Sequence, residues 1–211
     1  KFSVLINKKI KKFNKTMTIP KVGDKSCSIR ALIFASQCIG VSKIKNLLES
    51  EDVLNCVKAL RTLGVKIKKS DKGLCYKVYG NGLQSFKTNN QNKKIWLGNS
   101  GTTLKILAGL LATQSGKFLL RGDPSLQKRN MSRIIKPLEK IGAFFYPKGK
   151  ETLPFTIEGT TMPLAQDHTE NIGSASVKSS LLASFLACPG ISTITELKPS
   201  RTHTEILLKK I

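Results

Sequence analysis

The sequence predicts an α/β fold, α+β in the way its parts segregate, made of repeated units with buried helices inside and sheets outside. Three observations predict it. Three Ala-, Leu- and Ser-rich segments, apolar nearly all round, each run into a glycine (Gly40, Gly116 and Gly190, 76 and 74 residues apart). A short β-prone run follows each glycine. Two of these runs lead into an amphipathic segment that closes on a matching phrase, Leu60-Arg-Thr-Leu-Gly64 and Leu138-Glu-Lys-Ile-Gly142.

The apolar segments begin at Ser28, Thr102 and Val177. A helix that is apolar on every side belongs in a core, and glycine is the expected residue just past its end. Ser42 to Leu48, Lys117 to Arg121 and Ile191 to Leu197 read as the strands that follow. Asp52 to Leu63 sets Val53, Val57, Leu60 and Leu63 on one stripe. Met131 to Ile141 does the same with Ile134, Ile135, Leu138 and Ile141, so both read as surface helices. Strands are expected at Val65 to Lys69 and Ala143 to Tyr146. The third copy reaches Leu208-Lys-Lys-Ile211, where the pattern predicts a further glycine and strand. Three units of this length can enclose a common core of helices. Gly80 to Asn92 and Gly149 to Asp167 are polar or turn-rich and read as the joins between units. Phe2 to Ile10 alternates somewhat and reads as a strand with no partner of its own.

Composition narrows the function. Hydrophobic residues make up 40% and aromatics 6%, which allows a mainly aliphatic core. No apolar run approaches the roughly 18 residues of a membrane span. The five cysteines form no C-x-x-C pair and the two histidines stand far apart, a pattern that argues against a zinc site and suits a reducing cytoplasm. The net charge of +23 leaves three classes of partner open: nucleic acid, an anionic membrane surface, or small polyanions. Of the cations 30 are Lys and 6 are Arg, whereas readers of phosphate lean on the bidentate Arg fork. Lysines on a solvated surface account for most of that charge.

The turns that open the buried helices carry more information. They are Gly23-Asp-Lys-Ser-Cys-Ser-Ile-Arg30, Leu97-Gly-Asn-Ser-Gly-Thr-Thr103 and Gly173-Ser-Ala-Ser-Val-Lys-Ser179. Small, hydroxyl- or glycine-rich residues before a helix offer free backbone N–H groups and a positive dipole end to an anion. Each turn alone reads first as an ordinary N-cap. Three in equivalent places predict helix starts that converge on one anion-binding rim. Arg30, Arg129 and Arg201 each fall in a polar segment beside a helix start; in a chain that otherwise chooses Lys the three together suggest bidentate anion recognition, while any one alone fits a surface ion pair equally well.

Four ordered motifs, Gly23-Asp-Lys-Ser with Arg30, Leu97-Gly-Asn-Ser-Gly-Thr, Gly122-Asp-Pro-Ser-Leu-Gln-Lys-Arg129 and Ser200-Arg-Thr-His-Thr-Glu205, resemble the signatures of the EPSP synthase family of enolpyruvyl transferases, over about Ile19 to Ile211. The resemblance implies one domain of a two-domain enolpyruvyl transferase fold, each domain holding three βαβαββ-like units. It implies that residues 1–18 belong to the other domain. Residues 19–211 then form the substrate-binding domain, with repeats at about 19–85, 86–160 and 161–211, the third cut short.

It also implies roles. Lys25 contacts both shikimate 3-phosphate and phosphoenolpyruvate. Ser26 and Arg30 hold shikimate 3-phosphate. Asn99 and Gly101 line the phosphoenolpyruvate pocket and Arg129 binds its anionic groups. Ser174 and Ala175 cradle the shikimate phosphate, and Arg201 adds a contact. Ser176 stands where the family usually has Gln, two carbons longer, which puts substrate affinity at that point in question. Lys21-Val22 before Gly23, where Pro is common, removes no charged ligand.

The implied reaction moves the enolpyruvyl group of phosphoenolpyruvate to the 5-hydroxyl of shikimate 3-phosphate and needs no cofactor. The family's acid and base stand on the second domain, so no catalytic residue is expected here, and the chain alone is expected to bind without turnover. A cytoplasmic location, a monomer at full length, and no nucleic-acid or membrane partner are expected. Three other readings stand beside this one. One is the related transferase acting on UDP-N-acetylglucosamine, whose first motif lacks the Gly-Asp-Lys-Ser…Arg pattern. The second is a basic RNA-binding module, which calls for interleaved aromatics. The third is a structural or degenerate fragment with no ligand.

Overall fold

The computed structural model describes residues 2–4, 16–18, 23–70, 75–86 and 93–211. Its first unit runs β2 (Thr16–Thr18), α1 (Lys25–Ser36), β3 (Ile39–Lys45), α2 (Glu51–Thr62), β4 (Lys66–Lys69) and β5 (Cys75–Asn81), after a short β1 (Phe2–Val4). The second runs β6 (Lys93–Trp96), α3 (Gly101–Ala112), β7 (Gly116–Arg121), the single turn α4 (Pro124–Gln127), α5 (Ser132–Ile141), β8 (Phe144–Tyr146) and β9 (Phe155–Gly159). The third runs β10 (Asp167–Glu170), α6 (Ala175–Phe185), β11 (Ser192–Glu196) and α7 (His203–Lys210). The first two units share the order βαβαββ.

The sheets repeat as closely as the sequence does. In the first, β3 lies between parallel β2 and antiparallel β5, with β4 on the far edge; in the second, β7 lies between β6 and β9, with β8 on the edge. Gly40 pairs in register with Gly80, and Gly116 with Gly159. In the third sheet β11 lies between parallel β10 and antiparallel β1. Both short strands of 1–18, the segment assigned by resemblance to another domain, therefore pair here. The first unit starts at Thr16 rather than Ile19. The side of β11 covered by β1 is the side β5 covers on β3, and its pairing satisfies backbone groups that would otherwise form an open edge.

Helices α1, α3 and α6 fill the centre. Ser28 to Ser36 and Val177 to Phe185 are buried without a break, and so is Thr103 to Ala112 except at Lys105. The sheets lie outside with period-2 alternation. Ile44, Tyr76 and Val78 face inward while Lys43, Lys45, Lys66, Lys68 and Lys77 face solvent. Most of the described lysines are thus a solvated coat, as their spacing predicts.

The buried helices stop earlier than expected, with C-caps at Gln37, Thr113 and Leu186. The glycines do a different job. Gly40, Gly116 and Gly190 have φ of 98°, 119° and 86°, left-handed values that turn the chain into the following strand. Sequence reading also missed β9, which lies within the supposed join 149–167, because Pro154 and the preceding polar residues read as turn.

Helices α3 and α6 approach so closely that a Cβ on Gly109 would lie 2.0 Å from the Ser180 carbonyl oxygen. Gly109→Ala should therefore force the central helices apart. It is expected to destabilise the chain by about 2–3 kcal/mol, outweighing the helix propensity gained. The melting temperature should fall by roughly 5 °C or more; an unchanged melt would show that the helix pair can slide.

Candidate functional site

The starts of the three buried helices meet at one end of the core. Each is capped by its own side chain. Asp24 accepts from the Cys27 N–H at 2.7 Å, Ser100 from Thr103 at 3.4 Å and Ser174 from Val177 at 3.4 Å. These are the N-caps expected of each turn alone. They are also a convergent set: Lys25 of the first helix, Gly101, Thr102 and Lys105 of the second and Ser176 of the third line one cleft of about 300 Å³. Asp52, Asn99 and Arg129 complete it. Three cations face one carboxylate there, with three helix N-termini behind them, so the cleft suits a small anion of more than one negative charge.

Two ties shape the rim. Lys25 Nζ lies 2.8 Å from Asp52 Oδ2, across the starts of α1 and α2. The Arg129 guanidinium donates to Asn99 Oδ1 at 2.6 Å. Gly101 lets it do so, since a Cβ there would stand 2.7 Å from an Arg129 terminal nitrogen. Lys105 Nζ reaches Ser176 Oγ at 3.2 Å, and Ser176 Oγ lies 3.3 Å from Ser174 Oγ.

Arg30 is placed differently. It is 4% exposed and does not line the cleft. Its guanidinium donates to Thr204 Oγ1 at 2.7 Å, Ser179 Oγ at 3.0 Å, the Ser26 carbonyl at 3.2 Å and the Ser26 hydroxyl. It thereby binds α1 to α6 and α7 through neutral groups alone. Burial, with Arg201 close by, works against its charge, while Cys27, Asp24 and Glu205 favour it. Of the ten residues singled out in the sequence, Lys25, Asn99, Gly101, Arg129 and Ser176 meet in the cleft. Ser26, Arg30, Ser174, Ala175 and Arg201 do not line it, although Ser26 sits against Arg30 and Ser174 against Ser176.

Beneath Arg30 lies a buried ion triad that sequence reading missed. Lys178 Nζ sits 2.7 Å from Glu196 and 2.6 Å from Glu205. Burial alone would lower the Lys178 pKa, but the two carboxylates outweigh it and raise it. Burial would likewise raise the Glu196 pKa, but hydrogen bonds from Lys178 and Ser200 hold it below its usual value. The triad fastens β11 and α7 to α6, and so holds Thr204 and Ser179 where Arg30 meets them. Asp52 and Lys105 were missed as well, and Thr102 stood within its motif without a role of its own. A lysine interrupting the apolar run Leu104-Lys-Ile-Leu-Ala was the available signal for Lys105, and Lys178 in Val177-Lys-Ser-Ser-Leu-Leu carried the same one.

Thiols play no visible part. Burial pushes Cys56 up to about 12 and Cys38 and Cys188 up to about 11, far from a reactive thiolate. Among the described residues no group of three or more His, Cys, Asp or Glu could hold a metal ion, and no helix is long and apolar enough to cross a membrane.

Fold and site together define an α/β repeat protein with a cationic cleft at the meeting point of its buried helices. The chain belongs to the EPSP synthase (3-phosphoshikimate 1-carboxyvinyltransferase) family, whose pattern matches residues 7–211. It is 43% identical over 205 residues to the 3-phosphoshikimate 1-carboxyvinyltransferase of Oenococcus oeni, covering 96% of this chain and 46% of that protein. It is 40% identical over 186 residues to that of Nitrosococcus oceani, covering 88% and 41%. The EPSP synthase structure from Acinetobacter baumannii superposes with a TM-score of 0.82 at 35% identity, over 98% of this chain and 45% of that one. The enolpyruvyl transferase NikO of Streptomyces tendae shares the fold at a TM-score of 0.51 and 15% identity. The chain spans about half the length of the curated relatives it matches.

Two outcomes are expected. Gly101→Ala meets only the far end of an exposed arginine. Stability should stay within about 0.5 kcal/mol, while displacement of Arg129 weakens inorganic phosphate binding about fivefold by calorimetry, roughly 1 kcal/mol. The second concerns pH. The Glu196 pKa is depressed in the fold, so its contribution is present above the unfolded value and is lost as pH falls through the folded one; the Lys178 contribution is lost only on the alkaline side. The urea midpoint of the parent should fall below about pH 4.5. Glu196→Gln should be less stable at pH 7 by about 1–2 kcal/mol and show a shallower acid limb. Asp24, held low by the Cys27 N–H, and Glu49, held low by Lys69 and Tyr76, keep the remaining slope.

Proposed function

We propose that this chain supplies the substrate-binding half of a 3-phosphoshikimate 1-carboxyvinyltransferase. The observation that carries the reading is the meeting of three capped helix starts with Lys25, Lys105 and Arg129 around one cleft, in a chain of this family. The reaction joins two polyanions. The 5-hydroxyl of shikimate 3-phosphate gives up its proton to a base as its oxygen bonds to C2 of phosphoenolpyruvate, and C3 takes a proton. The tetrahedral intermediate then loses a proton from C3 and expels inorganic phosphate, leaving the enolpyruvyl ether. Bringing such charges together demands fixed cations and oriented N–H groups rather than mobile water.

In this reading Lys25 stands between the substrates, and its tie to Asp52 holds it at the cleft wall. Arg129, steered by Asn99 over Gly101, takes the anionic groups of phosphoenolpyruvate. Ser174 and Ala175, at the start of α6, receive the phosphate of shikimate 3-phosphate. Ser26 and Arg30 hold the same substrate, with Arg201 at the rim; Arg30 exchanges part of its hydroxyl shell for the ligand. Ser176 replaces the family Gln with a shorter hydroxyl, already within reach of Lys105. Proton transfer falls to the other half of the longer relatives, so the chain alone binds without turnover. Its five free thiols suit a cytoplasmic location.

Calorimetric titration with shikimate 3-phosphate, using shikimate as control, tests the reading. Binding is expected to require the phosphate and to weaken about tenfold or more in Lys25→Met, the loss of one charge-assisted contact. Phosphate release from phosphoenolpyruvate by the chain alone should be nil. Equal binding of shikimate, or no binding by a folded chain, would sink it.

A further inference from the structure

Two lysines interrupt the buried helices, and the fold treats them in opposite ways. Lys178 on α6 is compensated by Glu196 and Glu205. Lys105 on α3 is half-buried, in a helix whose residues Thr103 to Ala112 are otherwise buried, and no salt bridge among the described residues includes it. Its ammonium has three N–H donors and one hydrogen-bonded acceptor, the neutral Ser176 hydroxyl at 3.2 Å. Burial, then Arg133 and Arg129, push its pKa down, and only Glu170 pulls the other way. Glu170 is already engaged by Arg133 and the Ile172 N–H. A half-buried cation, beside cations and without a counter-ion of its own, is unfavourable in the empty protein. Lys105 and its partner Ser176 line the same cleft as Lys25 and Arg129.

We propose that Lys105 and Ser176 form one anion subsite in the cleft, Lys105 donating to an oxygen of the phosphate or carboxylate of phosphoenolpyruvate and Ser176 holding the ammonium in place. The inference rests on the substrate-binding reading above and assigns a contact to it. Lys105 is the binding residue, and Ser176 acts through it. The counter-charge that the fold withholds arrives with the ligand, so the subsite is relieved on binding rather than built for stability.

That contrast gives the test two independent readouts. The parent chain, Lys105→Met, Lys105→Arg, Ser176→Ala, the Met/Ala double variant and Arg129→Ala are titrated with phosphoenolpyruvate in the presence of shikimate 3-phosphate, and separately with inorganic phosphate; each is also melted without ligand. Lys105→Met is expected to lose phosphoenolpyruvate affinity about tenfold or more while melting at or above the parent temperature. Lys105→Arg should recover most of the loss. Ser176→Ala should lose a few-fold, and the double variant should bind no worse than Lys105→Met, as coupled residues do. A parallel loss of inorganic phosphate places the phosphate group on Lys105; a loss confined to phosphoenolpyruvate places the carboxylate there. Parent-like affinity in Lys105→Met, with Arg129→Ala impaired, would overturn the subsite and leave the substrate-binding reading standing. A lowered melting temperature with affinity kept would make Lys105 structural and also overturn it. A folded parent that takes no phosphoenolpyruvate would defeat the broader reading, and the subsite with it.

Discussion

Three helices that are apolar on every side can only be accommodated together, and the architecture follows from that constraint. Burying α1, α3 and α6 against one another leaves each sheet a single role, to close one flank of the helical core. Because the three helices occupy equivalent places in a repeat, their capped N-termini come to the same end. Backbone N–H groups that cannot pair within a helix, and the positive ends of three dipoles, are thereby gathered without any loop having to travel far. The cationic cleft is a consequence of packing before it is a matter of particular side chains.

The repeat explains why so much was legible in the sequence. Gly40, Gly116 and Gly190, and the phrases ending at Gly64 and Gly142, record backbone constraints that only glycine meets, so they survive as literal letters at fixed spacing. The polar turns before each buried helix were readable for the same reason, since Asp24, Ser100 and Ser174 cap identically placed helices. Strands were harder. β9 is short, follows a proline and owes its existence to pairing with β7, a long-range partner that local periodicity cannot register. The early stops of the buried helices were misplaced because a glycine that opens a strand looks, in sequence, the same as one that closes a helix.

In the site, residues were legible when a motif named them and lost when only geometry did. Lys25, Asn99, Gly101, Arg129 and Ser176 sit in recognisable phrases and meet in the cleft. Asp52 is an ordinary acidic residue in the first turn of α2, and nothing in its neighbourhood tells that the helix start abuts α1. Lys105 and Lys178 look alike in sequence, each a lone lysine in an aliphatic run. Only the carboxylates of β11 and α7, brought in by tertiary packing, separate a neutralised lysine from one with which no carboxylate among the described residues pairs. Arg30 shows the reverse limit. Its motif was clear, yet burial among hydroxyls makes it a fastener between helices.

The lysine coat on the outer faces of the sheets has a kinetic meaning. With 36 cations and 13 carboxylates, the chain carries a positive potential that reaches beyond any single contact, and small polyanions diffuse toward it faster than toward a neutral body of the same shape. In the proposed substrate-binding reading, lysines outside the cleft govern how often a polyanion arrives, while the few cations of the cleft govern how long it stays. The first quantity fades as salt shortens the Debye length, about 8 Å at physiological ionic strength. The second, set by contacts of a few ångströms, is screened far less.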